Sequence, residues 1–189
     1  MNVLFRSLAR LTAAAALIVA CGAALPAAAR DMKASVDAKA GVITMTGWSR
    51  RVAETTTIFY TCEDDSCGRG SIVSMRRQMK PNALDGETLR RNENRVAEAI
   101  RERAGGKIAR IEIGDPVSSK DAKLSVGEIT RVIVPNSGED VGLHLNWKSG
   151  YVTTPEFTYT LAGSSDSRAH CDANYNAFKA ALMLMGARK

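Results

Sequence analysis

Cysteines and histidines hold most of this chain's capacity for chemistry, and there are four of the first and two of the second. Cys62 and Cys67 flank Glu63, Asp64, Asp65 and Ser66 and are followed by Gly68, Arg69 and Gly70. A four-residue loop between paired strands sets its flanking residues opposite one another, at a Cα separation that suits a disulfide. The pair is therefore expected to be bridged. Closing so small a ring contributes only ~2 kcal/mol in the loop-entropy model, enough to pin a hairpin tip rather than hold a domain together. A redox-active pair would want Cys-x-x-Cys spacing and a helix N-terminus beside it to steady a thiolate, and this pair has neither. Cys171 falls on an apolar helical stripe, where a free thiol packs as a small hydrophobe. The alternative for it is a long-range bridge to Cys62 or Cys67, which would stabilise by ~4–5 kcal/mol in the same model.

A Cys₃His zinc site can be counted from Cys62, Cys67, Cys171 and either His144 or His170. No second close ligand pair accompanies the first, so no metal is expected. His170 and Cys171 are helix neighbours that point about 100° apart, the wrong relation for a base and its nucleophile. Both histidines are expected in solvent. The acidic trio of Glu63, Asp64 and Asp65 lacks the spaced ligands of a calcium loop. The chain has no Gly-x-Ser-x-Gly elbow, phosphate-cradling glycine loop or His-Glu-x-x-His helix. No catalytic residue and no cofactor is expected.

Arg50 and Arg51, with Arg76, Arg77 and Lys80, form two basic clusters beside strand ends. If the first strands meander, the clusters share an end of the sheet as a candidate rim for an anionic lipid, glycan or acidic partner. Setting aside Arg6 and Arg10 leaves 24 basic against 20 acidic side chains, a net charge of about +4. That mild excess, with Trp48 the only aromatic near Arg50 and Arg51, does not make a nucleic-acid surface.

The elements that must position these residues can be read from periodicity. Residues 42–48, 54–62 and 71–76 are rich in β-branched and aromatic side chains and read as three strands. A helix capped by Asn82 or Asp85 runs to about Ala104, with Leu89, Val96 and Ile100 on its apolar stripe and Gly105 and Gly106 ending it. Its outer face mixes Arg90, Arg91, Arg95 and Arg101 with Glu93, Glu98 and Glu102, the pattern of a solvated surface. Residues 107–113 alternate as a half-buried strand, and a polar loop through 115–123 follows. Further strands are expected near 124–134, 141–147 and 152–161. Within them Val141, Leu143, Leu145 and Trp147 alternate most cleanly, residues 148–151 supply a turn, and Pro155 marks an edge or bulge. A last helix, capped by Ser165 or Asp166, places Cys171, Tyr175, Phe178, Leu182 and Met185 on one stripe.

The result is an α+β protein of order β3-α-β4-α, a mainly antiparallel sheet of about seven strands with two amphipathic helices packed on it. That order resembles the sandwiches of the photosystem II extrinsic protein P-like family. It is a likeness of element order alone, and no residue is carried over from it.

Residues 1–29 read as a signal peptide: Arg6 and Arg10, then an apolar run through Leu25, then Ala27-x-Ala29, with no acidic residue before Asp31. Residues 30–40 are polar and aperiodic, a flexible N-terminal lead to one α+β domain over 41–189. Cleavage before Arg30 is the expectation. The alternative is a lipoprotein box ending at Cys21, whose lipidation would be the protein's one tie to a membrane. The chain is expected to be exported and periplasmic, as a non-catalytic binding or accessory protein whose partner is an envelope protein or a small ligand. The competing expectations are a thiol-based redox factor or enzyme centred on Cys62, Cys67 and Cys171, and an envelope lipoprotein anchored through Cys21.

Overall fold

The computed structural model describes residues 34–37, 42–53, 56–79, 82–121 and 123–187. Among them five strands precede the first helix: β1 (Ala34–Asp37), β2 (Val42–Met45), β3 (Trp48–Val52), β4 (Thr57–Cys62) and β5 (Ile72–Gln78). Helix α1 (Gly86–Ala104) leads to β6 (Ile108–Ile113), β7 (Val117–Lys120), β8 (Ser125–Pro135), β9 (Asn146–Thr153) and β10 (Thr158–Ser165), and α2 (Arg168–Ala187) closes the order. The main sheet has eight strands in the order β3-β4-β5-β10-β9-β8-β6, with β7 also paired to β8, and every pairing is antiparallel. β1 and β2 form a separate antiparallel ribbon. The α+β class and the mostly antiparallel sheet agree with the sequence expectation.

The two faces of the sheet are covered on opposite halves. α2 packs on β9 and β10 and touches β1, whereas α1 packs on the other face, over β6 and β8. Sheet residues Tyr60, Val73, Met75, Val152 and Leu161 meet Tyr175, Phe178 and Leu182 of α2 and Ile43 and Met45 of β2 in the larger core. Ala97 of α1 meets Ile111 and Ile133 in a smaller one. The period-two alternation of strands and the four-three spacing of α2 bring these apolar sets to the covered sides. α1 starts at Asp85, whose carboxylate accepts from the Thr88 amide, and ends at Gly105 in the left-handed region, as expected.

Several local expectations give way to packing. Residues 42–48 are not one strand, because Gly47 (φ +79°) turns the chain out of the β1–β2 ribbon into the main sheet. Residues 34–37 of the expected flexible lead pair with β2, since the ribbon covers core that α2 leaves open. β7 lies in the stretch expected to be loop, held by the free edge of the long strand β8. The largest departure is over 141–147, where strand does not begin until Asn146. Asp140 accepts from the amide of Gly142, which sits at φ +63°, and the chain loops there. Residues 148–151, expected to turn, lie inside β9. Gly150 is a packing glycine: a Cβ there would stand 2.1 Å from the Gly127 carbonyl oxygen and 2.4 Å from the Tyr175 hydroxyl. The β9–β10 turn falls instead around Pro155, where the Thr154 amide donates to Phe157 O. α2 is capped one residue later than expected, by Ser167, whose carbonyl accepts from the Cys171 amide.

Candidate functional site

The sulfur chemistry is closed off by packing. Cys62 and Cys67 are joined, with a Cα separation of 6.0 Å, and both are buried. The bridge does not sit on a simple hairpin tip. A 3-10 turn over Asp65–Cys67, capped by the Asp64 carboxylate, folds the loop under the β2–β3 turn, where the Glu63 amide donates to Gly47 O. Asn174 of α2 donates to Cys67 O from the other side. His170 is half-buried rather than in solvent, because its ring closes over Gly68, where a Cβ would lie 2.5 Å from Nδ1. Cys171 is free and buried, and desolvation pushes its thiol up to about 11.

These positions predict that peptide mapping without reductant returns Cys62 joined to Cys67 and Cys171 unreacted by thiol reagents at neutral pH. The pH profile follows by linkage. The folded thiol keeps its proton to about 11, while the unfolded thiol releases it near 9.0. Its contribution to stability is therefore complete below 9.0 and is lost as pH rises towards 11. Urea unfolding of Cys171→Ala should lack that part of the alkaline decline; an identical decline in both proteins would refute the assignment.

Two ion-pair groups lie on opposite faces of the sheet. On the α1 side Glu93, expected on the solvated face, is buried against Arg131 of β8 and accepts from Ser149 Oγ at 2.7 Å. The Arg131 guanidinium also lies 5.0 Å from the Trp147 ring centroid. α1 consequently turns Leu89, Glu93 and Ala97 inward and leaves Val96, expected in the core, 43% exposed. On the α2 side Glu128 is held by Lys179 and Lys148, both near the ring of Tyr175. Burial opposes ionisation of Glu128, but the hydrogen bonds from Lys179 and Lys148 outweigh it and hold the carboxyl below its ordinary range. A signal for the first group was present in the sequence: Arg131 occupies the phase of β8 otherwise filled by Ile129 and Ile133.

What remains available for function is the half of the α1-side face that α1 does not cover. It is built from one phase of four adjacent strands: Ser49 and Arg51 of β3, Thr57, Phe59 and Thr61 of β4, Ile72, Ser74 and Arg76 of β5, and Thr160 and Ala162 of β10. The opposite phase of the same strands, such as Tyr60, Val73, Met75 and Leu161, is buried in the larger core. Between α1 and this floor runs a cleft of ≈ 300 Å³, walled by Asn92 and Val96 and floored by Ser74, Thr160 and Ala162. At the far end the β8–β9 loop roofs a hollow of ≈ 650 Å³ lined by Ile72, Val141, Leu143, Leu145 and Trp147.

His144, also expected in solvent, is held in that loop half-buried, with Nδ1 2.8 Å from Ser164 Oγ and its carbonyl accepting from Trp147 Nε1. A serine beside an imidazole has the outline of a nucleophile and base. Ser164, however, is 3% exposed and lies inside the strand ladder opposite Ile72 and Trp147, with its hydroxyl covered by the loop. The contact fastens the loop to the sheet.

The expected basic rim is divided. Arg51 and Arg76 lie on the open face, Arg51 with its guanidinium 5.3 Å from the Phe59 centroid. Arg50 and Arg77 fall in the other phase, and Arg77 stacks 4.6 Å over buried Phe157. Adjacent strand residues point to opposite faces, so each Arg-Arg pair had to split. Lys80, Cys21 and the signal segment 1–29 lie outside the described residues. Among the described residues no three metal-ligating side chains gather, and no helix is long and apolar enough to cross a membrane.

No family model and no curated protein matches the chain. Among solved structures it is similar to the crystal structure of the Saccharomyces cerevisiae Ran-binding protein Mog1p, at 10% identity over 81% of this chain and 94% of that one, with a TM-score of 0.46. No residue, partner or activity transfers on such a likeness.

Proposed function

We propose that this protein is exported to the envelope and acts there as a non-catalytic binding or accessory protein, with the open half-face of the sheet as its binding surface. The observation that carries this reading is that surface itself: four strands expose a contiguous face between a helix wall and a loop-roofed hollow. A sheet face left unpacked in this way, with large apolar side chains exposed at its margins, is the usual mark of an interaction site. The thiol-centred alternative is disfavoured by a buried bridge and by a buried thiol that stays protonated at neutral pH.

Export is supported by the order of residues 1–29 and is tested by sequencing the mature N-terminus, expected at Arg30. A blocked, lipid-bearing Cys21 would support the anchored form instead. The surface is tested by a photo-crosslinking amino acid placed at Ser74 or Thr160 in growing cells, with Glu98 on the outer side of α1 as the control site. Defined adducts are expected from the sheet positions only. Equal yields from the control, or none from the sheet, would count against the surface.

A further inference from the structure

We infer that the open face docks an extended acidic segment of a partner polypeptide, with one apolar anchor side chain in the loop-roofed hollow and its carboxylates at Arg51 and Arg76. This rests on the binding reading above and names the chemistry of the partner. Both arginines are exposed, and neither has a carboxylate partner among the described residues. The open phase of β3, β4, β5 and β10 carries no Asp or Glu, so nothing on the floor neutralises them. At the other end Ile72, Val141, Leu145 and Trp147 give the hollow apolar walls, and Leu143, which also lines it, is 42% exposed.

The two ends also fix a direction and a spacing. Glu139, Asp140 and Asp166 line the hollow, opposite in sign to the arginine end. A ligand that is acidic throughout, such as a nucleic acid, is repelled there. Ile72 in the hollow and Arg76 are four residues apart on β5, roughly 13 Å at strand rise. An extended peptide spans that distance in about four residues, an even number that turns anchor and carboxylate to the same side. The floor between them carries the hydroxyls of Ser74 and Thr160 beside apolar Ala162 and Val96, and those hydroxyls can meet the amides and carbonyls of a peptide.

The test is fluorescence polarisation of labelled peptides of about eight residues on the full exported chain. One peptide has leucine about four residues before a pair of glutamates; the others replace the glutamates with lysines or the leucine with serine. The acidic, leucine-bearing peptide is expected to bind at least about tenfold tighter than either counterpart. Arg51→Glu with Arg76→Glu should remove that preference and favour the lysine peptide, while Leu143→Asp should remove the advantage of leucine. Unfolding curves like the parent's confirm that these exposed substitutions leave the fold intact. Equal binding of all peptides, a preference that survives the substitutions, or binding of dodecyl phosphate where no peptide binds would overturn the inference. Should the crosslinks from Ser74 and Thr160 persist in that case, the surface stands and only the acidic-segment chemistry falls; should they be absent, the surface falls with it.

Discussion

Phe178→Ala is expected to lower stability by about 3–5 kcal/mol, the usual loss for a buried phenylalanine with the cavity it leaves. Phe178 is 0% exposed at the centre of the larger core. Its ring meets Trp48 edge-on at 5.2 Å and lies tilted on Tyr60 at 4.7 Å, so one side chain joins α2 to β3 and β4. Because Trp48 and Tyr60 are fixed by strand pairing, they cannot collapse into the space that alanine leaves. A loss of this size is a large share of the 5–15 kcal/mol typical of a domain. Urea unfolding with the slope unchanged measures it. A loss below about 1 kcal/mol would mean that the helix is peripheral.

The second large effect is at the buried ion pair. Glu93→Ala is expected to cost about 3–5 kcal/mol, because it strands the Arg131 guanidinium in the interior without its counter-charge. Arg131 Nε already lacks a hydrogen-bond partner, and Ser149 would lose its acceptor as well. The informative companion is the double variant Glu93→Leu with Arg131→Met. Replacing both charges with apolar groups of similar volume is often neutral or stabilising, so the double variant should recover most of the loss. A double-mutant cycle then isolates the coupling between them. If Glu93→Ala unfolds like the parent, the pair is solvated in solution and α1 is held by its apolar contacts through Leu89, Ala97 and Ile100.

The short-range features of the molecule were legible in the order of residues. Asp85 and Gly105 bound α1 because an N-cap acceptor and a left-handed glycine act within one turn of where they stand. The Cys62–Cys67 bridge and the stripe through Tyr175, Phe178, Leu182 and Met185 depend on spacings of three to five residues. Even the class, an antiparallel sheet with two amphipathic helices, follows from counting such segments.

Tertiary structure decided the rest, because the deciding contacts join residues far apart in the chain. Val141 and Leu145 alternate like a strand, yet they line the loop-roofed hollow; the Ile133 amide donates to Leu145 O, but β9 does not begin until Asn146. Gly150 looks like a turn residue until Gly127 and Tyr175 are brought against it. Glu93 looks like surface charge until β8 supplies Arg131, 38 residues away. Arg51 and Arg76 share the open face only because strand order sets β3, β4 and β5 side by side. Local spacing determines what a segment can be. Which face it buries, and which half of the sheet is left open, depends on the free energy of the whole packing arrangement.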